Sequence, residues 1–368
     1  MGTMTERLAE IAGGLVGFPS VAADGEALHA CADWVSARMA RTPSLRVRRF
    51  EDVGTPSVLV TVGESVPTVL FCGHLDVVEA TDPAAYTGTR QGNRLIGRGA
   101  ADMKGPIAAL LDIVETEPVA GLGLLLTGDE ESGGAHGTAH VLRSLDWRPE
   151  VVVLPDGGAN MRLVTEQKGM LRLRLTAEGQ AAHGARPWLG INALERIIAG
   201  YQAVRRAYPP PVDEDDWRVS ATLTVLRNRG NAPNTVPDFA EGMLDLRYPG
   251  NGPGASDGQE LLRAVRGHLA RHDVRSDILL HAPPFVLDPD SPWAGRLRDV
   301  ARGVLDDPMR LVREAGASDA RYFGVEGVPV LVFQPVCADW HGAGEWIDLE
   351  SLAAFREVCA RFAREALA

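Results

Sequence analysis

Five short segments carry side chains whose types and positions suit divalent cations and the handling of a proton. Gly73-His74-Leu75-Asp76 directly follows the apolar run Thr68 to Cys72, so His74 and Asp76 share a face at period two, where a parallel sheet presents its ligands. An imidazole there can bind metal, or it can cap a turn beside an aspartate. Asp102 sits in the glycine-rich turn Gly97 to Gly105, just before Pro106 opens a helical segment, a place for a ligand or for an N-terminal cap. Asp129-Glu130-Glu131 leave the apolar run Leu122 to Leu126 between glycines. Successive acids in so tight a turn repel one another unless a cation neutralises them, the alternative being a solvated acidic turn. Adjacent carboxylates can divide two jobs, so Glu131 is the candidate ligand and Glu130 the candidate base that takes a proton from water. Asp156 closes a third apolar run, Val151 to Leu154, where Asp-Gly is also simply a good turn. His341 follows the run Val328 to Phe333. His74, Asp102, Glu131, Asp156 and His341 together offer imidazoles and carboxylates in the mixture expected for two zinc-like ions ~3.5–4 Å apart sharing one bridging carboxylate.

These residues can meet only if the runs they follow are neighbouring strands. The spacing predicts two helices between Thr5 and Met39, strands at Ser57 to Val62 and Thr68 to Cys72, a helix from Pro106 to Glu117 and a buried strand at Leu122 to Leu126. Strand–helix–strand alternation with near-continuous apolar strands implies an α/β fold with a mostly parallel central sheet. From Met170 to Ala177 leucines alternate with Arg172, Arg174 and Thr176, the pattern of a strand with one wet face. A helix over Gly190 to Tyr208, a loop at Pro209 to Asp216, strands at Val219 to Arg227 and Phe239 to Arg247, and a helix at Gln259 to Arg271 complete a β-α-β-β-α-β-like unit. After Pro283-Pro284 the α/β texture returns, with a helix at Pro292 to Leu305, a strand at Val328 to Gln334 and a helix at Leu349 to Leu367. The expected organisation is a large domain of 1–169 and 281–368, with 170–280 inserted as an α+β domain.

With 368 residues, 45% hydrophobic and 23% charged, the chain is long enough for two domains and is not of disordered composition. Lys and Arg number 37 against 49 Asp and Glu, a net charge of −12, which provides no global field for nucleic acid or an anionic membrane. No apolar run reaches the ~20 residues of a membrane span. The four cysteines form no C-x-x-C pair, no export signal is visible at the start, and a reducing cytoplasm is the expected location.

Taken in order, Phe71 to Val78, Gly97 to Gly105, Thr127 to Gly134, Ala182-His-Gly-Ala-Arg-Pro187, Asn234 to Pro237 with Leu244 to Arg247, Gly316 to Arg321, and His341 through Glu345 make the chain resemble one family over nearly its whole length. It is similar to the dinuclear zinc amidohydrolases that include acetylornithine deacetylase, succinyl-diaminopimelate desuccinylase, aminoacylase and glutamate carboxypeptidase. The resemblance implies a zinc-peptidase-like catalytic domain and an inserted, ferredoxin-like dimerisation or lid domain. It implies two divalent ions, zinc first and cobalt or manganese as alternatives, with His74 on one ion, Asp102 bridging, Glu131 and His341 on one side and Asp156 on the other. Asp76 would orient His74, Glu130 would be general base and proton shuttle, and His183 would reach the neighbouring subunit's site in a homodimer. Asn234 and Arg247 match substrate-contacting positions, and Ser318 and Arg321 lie in a loop that matches a substrate-carboxylate loop. One departure stands out: the third metal segment often reads Glu-Pro in this family, whereas here it reads Leu154-Pro155-Asp156.

The activity implied is hydrolysis of the amide of an N-acyl amino acid or dipeptide-like molecule by a water between the two ions, deprotonated by Glu130. Arg247 and Arg321 would offer cations to a substrate carboxylate in an otherwise acidic protein, and either could instead sit in a structural ion pair. A metallo-exopeptidase of the same architecture and a non-catalytic binding homologue are the alternatives. A nucleotide-dependent enzyme would need a glycine-rich strand-to-helix turn, and Gly121-Leu-Gly123 lacks the third glycine. His136 and His140 stand four apart on the helix expected after the acid pair, a spacing that can bind zinc, but no Glu adjoins His136 and no family segment places ligands there.

Overall fold

The computed structural model describes residues 3–213, 215–230, 232–251 and 258–368; residue 214 of the acidic loop at Pro209 to Asp216 lies outside them. The chain forms two compact units, one of Met1–Thr165, Leu287–Arg313 and Ser318–Ala368, the other of Glu166–Val286 with Glu314–Ala317.

In the first unit the strands stand in the order Leu45–Asp52, Thr55–Val62, Leu122–Thr127, Val69–His74, Val151–Leu154, Val330–Val332 and Leu163–Gln167. The inner four, from Leu122–Thr127 to Val330–Val332, are parallel, and antiparallel strands flank them on both sides. Every residue of the three inner strands beginning at Leu122, Val69 and Val151 is buried, which is why they read as unbroken apolar runs: helices cover both faces of such a sheet. The helix Lys104–Thr116 is buried along nearly its whole length, while Met4–Val16 and the last helix, Leu349–Ala366, are amphipathic. Local chemistry sets the helix ends. Thr3 and Glu6 form a reciprocal capping box, and the side chains of Asp24 and Asp348 cap the helices that follow them.

Several elements differ from the sequence expectation. Leu45–Asp52 is a strand whose mixed pattern of arginines hid it, because it lies at the sheet edge and pairs only with Thr55–Val62. Only Val330–Val332 of the run at 328–334 is strand, and His136 precedes the helix Thr138–Ser144. A small second sheet, in the order Cys337–Ala338, Trp346–Asp348, Arg94–Ile96 and Thr89–Gln91, is built of strands too short to show a period in the sequence.

The second unit carries an antiparallel sheet in the order Ser220–Asn228, Phe239–Tyr248, Gly169–Glu178 and Val274–Ala282. Its helices, Ala193–Ala207 and Gly258–Ala270, supply Ile197, Val204, Leu261 and Val265 to a core with Leu171, Leu173 and Leu175. The leucines point inward and the alternating arginines outward, as period two requires. The helix expected from Gly190 begins at Ala193, where Asn192 caps it. Among the described residues, no helix is long and apolar enough to cross a membrane.

Candidate metal centre

All five candidate ligands lie beyond carboxyl ends of the first unit's parallel strands or in the turns between them. His74 is the last residue of its strand; Glu131 and Asp156 follow the ends of Leu122–Thr127 and Val151–Leu154; His341 comes after Val330–Val332. Asp102 enters from the turn before the helix Lys104–Thr116, and the Asp102–Met103 peptide is cis. A doubly wound sheet gathers polar side chains at this edge because the strands end together while the helices run back behind them.

Two groups form there. His74, Asp102 and Asp156 offer ligand atoms within 4.8 Å of one another, as do Asp102, Glu131 and His341, so Asp102 is common to both. His74 Nε2 lies 3.0 Å from Asp102 Oδ1, while His341 Nε2 lies 3.3 Å from Asp102 Oδ2 and 3.1 Å from Glu131 Oε1. The tautomer of His74 follows from its partners. Its Nδ1 is 3.0 Å from the main-chain oxygen of Asp76, which can only accept, so Nδ1 carries the proton and Nε2 turns a lone pair toward Asp102. Two lone-pair atoms at hydrogen-bonding distance need a positive charge between them, a proton or a metal ion.

The electrostatics of the cluster express the same need. Burial disfavours the charged form of His74, yet the carboxylates of Asp102 and Asp76 outweigh it and hold the imidazole well above its usual range. His341 is pushed up to about 10 by its hydrogen bonds to Asp102 and Glu131. Burial would raise Asp102, but the two imidazoles keep it below the ordinary carboxylate range. Asp156 and Glu130 are held well above that range, first by burial and then by neighbouring acids: Asp102 for Asp156, Asp156 and Asp319 for Glu130. Carboxylates packed this closely fit a cationic centre: imidazole and carboxylate donors suit divalent ions of the zinc, cobalt and manganese kind.

The segment 70–365 matches the family model described as Peptidase family M20/M25/M40. The chain is a member of the M20 peptidase family. It is 31% identical to a succinyl-diaminopimelate desuccinylase of Granulibacter bethesdensis over 81% of this chain and 83% of that protein. It is also 34% identical to a probable carboxypeptidase of Aspergillus terreus, over 55% of this chain and 49% of that one. The fold is shared with an M20 family metallo-carboxypeptidase from Sulfolobus solfataricus, with a TM-score of 0.80 at 15% identity over the full length of both chains. Human carnosine dipeptidase 1 gives 0.76 at 16% identity over 99% of this chain and 96% of that one. As an M20 enzyme the protein is a metal-dependent hydrolase of amide bonds, an amidohydrolase or an exopeptidase.

The remaining candidate residues of this M20 chain take more varied positions. Asp76 is buried, and its carboxylate accepts the main-chain N–H groups of Glu130 and Glu131 at 3.2 and 3.0 Å. Arg321 is only 2% exposed and turned inward. It donates to the carbonyls of Ser318 and Gly133 at 2.7 and 2.9 Å, and lies 3.8 Å from Glu130 Oε1 and 3.6 Å from Asp319. Arg321 thus sits within ion-pair distance of two acids, and Ser318 beside it is buried. In the second unit, the pairing of Ala182–His183 with Thr235–Val236 sets His183 opposite Thr235, the residue after Asn234, and Gly184 N donates to Asn234 O at 2.6 Å. Arg247 is half-buried on the same unit's sheet, its Nε donating to Asp245 at 2.8 Å. His136 and His140 both face Asp52, at 2.9 and 3.6 Å, and belong to neither ligand group.

Residues that sequence reasoning passed over support the centre. Glu345 Oε1 accepts from the amides of Ala101 and Asp102, and Thr138 donates to Asp319 at 2.5 Å. Gly134 has φ +67°, and a Cβ there would collide with Asp319 Oδ1, so the glycine after the acid pair is required for Asp319 to approach. Glu345, Asp319 and Gly134 lie in segments that carry the family resemblance, the signal by which they are visible, whereas Thr138 lies outside those segments.

Proposed function

We propose that this M20 enzyme is a dinuclear amidohydrolase that releases an amino acid bearing a free carboxylate from its N-acyl derivative. The observation that carries the reading is Asp102, shared by two ligand groups with Glu130 at their side. His74, Asp102 and Asp156 would hold one ion and Asp102, Glu131 and His341 the other. Divalent ions held there supply Lewis acidity and lower the pKa of water.

The chain's own groups account for the proton. Glu130 stands outside both ligand groups, in the turn next to Glu131, and its raised affinity for a proton suits a carboxylate that takes one from water and returns it to the leaving amine nitrogen. Arg321, 3.8 Å from Glu130 Oε1, limits that rise. His183 is suited to the amide oxygen as negative charge develops on it. Its Nδ1 accepts the Ala185 N–H at 3.1 Å, so the neutral ring carries its proton on Nε2, where it can donate. In this reading the inserted unit forms a homodimer and delivers His183 to the partner's centre, Asn234 beside it touches substrate, and Arg247 pairs with the substrate carboxylate. Zinc is the expected metal. Four buried cysteines in the thiol form accord with a cytoplasmic enzyme.

Deacylation is preferred to peptide cleavage because the desuccinylase match spans most of both chains, whereas the carboxypeptidase match spans about half. The test is hydrolysis of N-acetyl, N-succinyl and peptide-linked amino acids by metal-stripped protein, with and without zinc or cobalt, alongside Glu130→Gln. Metal-dependent deacylation lost in Glu130→Gln supports the reading. Cleavage restricted to peptides would make the protein an exopeptidase, and turnover independent of metal would overturn the site.

A further inference from the structure

The two ligand groups are not anchored alike. His74 ends a central strand and is pinned through Nδ1; Asp156 directly follows another; Glu131 is held by Asp76. His341 has no such support. It lies in a loop between two short strands, its side chain 49% exposed and its backbone in the left-handed region at φ 62°, unfavourable for a residue with a Cβ.

What holds it is a buried ion pair. Arg98 and Glu345 are 4% and 1% exposed, with Nη1 and Oε2 2.6 Å apart. The other ends of both side chains grip the ligand-bearing backbone: Arg98 Nη2 donates to the His341 carbonyl at 2.8 Å, and Glu345 Oε1 accepts from the amides of Ala101 and Asp102 at 2.9 and 3.1 Å. Gly97 N donates to Glu345 O at 2.9 Å, and just beyond, Ile96 pairs with Trp346 and Leu95 with Ile347 in the small sheet. The segments that carry Asp102 and His341 are thus closed on one another by a strap with the ion pair at its centre.

We propose that Arg98 and Glu345 are positioning residues that set the Asp102–His341 separation and so govern occupancy of one metal position, that of Asp102, Glu131 and His341, while the His74, Asp102 and Asp156 position is independent of Arg98. This rests on the dinuclear reading above. Removing the guanidinium releases the His341 carbonyl and leaves its loop free to leave the strained conformation; His74 and Asp156 are tied to the sheet and stay. Supporting groups of this kind typically change metal affinity ~10–100-fold.

The experiment is equilibrium dialysis of the full-length protein, wild type, Arg98→Met, Arg98→Lys and Glu345→Gln, against zinc and, separately, cobalt, with the cobalt absorption spectrum and circular dichroism recorded on the same samples. The wild type is expected to bind two ions. Arg98→Met should keep one with unchanged affinity and bind the second ~10–100-fold more weakly. Arg98→Lys has one ammonium where two nitrogens act, and should fall between; it decides the matter if the methionine variant does not fold. Two ions bound with wild-type affinity by a folded arginine variant, or an equal loss at both positions, would overturn the proposal. A wild type that binds fewer than two ions would instead overturn the dinuclear reading, and that arm involves no variant.

Discussion

The carboxylate of Asp76 accepts the main-chain N–H of Glu131 at 3.0 Å, and its other oxygen accepts that of Glu130 at 3.2 Å. The same residue's carbonyl oxygen meets His74 Nδ1 at 3.0 Å. One buried aspartate therefore holds the candidate ligand His74 chiefly through its backbone, with its carboxylate 3.5 Å from the same nitrogen, and the acid pair through its side chain, which joins two neighbouring strand ends.

The division makes Asp76→Asn informative. The backbone contact to His74 survives, but the amide presents an NH2 to one of the two N–H groups it should accept from. We predict that the variant binds the wild-type number of ions while kcat falls ~10–100-fold. Parallel loss of ions and activity would show that the carboxylate serves the metal rather than the acid pair.

For His183→Ala the prediction is a kcat lowered ~10²–10³-fold with unchanged metal content, since one donor to a developing oxyanion is worth about that much. Co-expression with Glu130→Gln extends the test. If His183 acts across a dimer, a mixed dimer has one complete centre, and random assembly restores about a quarter of wild-type activity. Absence of any recovery in purified mixed dimers would place His183 in its own subunit's chemistry or outside the reaction.

Chelation should lower the unfolding midpoint, because the acids and imidazoles of the two ligand groups then face one another without their cations. Each ion that binds only folded protein contributes about 2.7 kcal/mol at a free concentration 100-fold above its Kd. Thermal melts before chelation, after it and after zinc is restored measure the effect, and an unchanged midpoint in protein shown by elemental analysis to be metal-free would contradict it.

Away from the centre, Arg356 joins the last helix to the helix Lys104–Thr116. It donates to the buried carboxylate of Asp112 at 2.9 Å and pairs with Glu117, which also pairs with Arg364. Burial would raise Glu117, but the two guanidinium groups hold it below the ordinary glutamate value. A depressed carboxylate pKa stabilises the folded state above the unfolded value of about 4.3, and that contribution disappears as pH falls through the folded value. Glu117→Gln should therefore melt below the wild type at pH 6, and the difference should close on acidification below pH 4. A difference that persists unchanged at low pH would mean that packing, not charge, is lost.

Much of the centre was legible because its residues announce themselves locally. His74, Glu130, Glu131 and Asp156 follow apolar runs closely, and a run that ends in an acid or imidazole states where a parallel strand stops and what it offers there. Periodicity likewise identified the antiparallel strand Gly169–Glu178, since one wet face forces alternation. What no local pattern contains is which distant segment closes on which. The pairing of Arg94–Ile96 with Trp346–Asp348 brings Arg98 to Glu345, and both then hold the backbone of Asp102 and His341. Arg321 shows the same limit: its residue type offers a cation, and only the fold decides that it is buried against Glu130, Asp319 and two carbonyls. Residue type and strand-end position thus determined the chemistry available, whereas the long-range pairing of segments decided which charges face one another, because desolvation and Coulomb energies depend on separation in space and not along the chain.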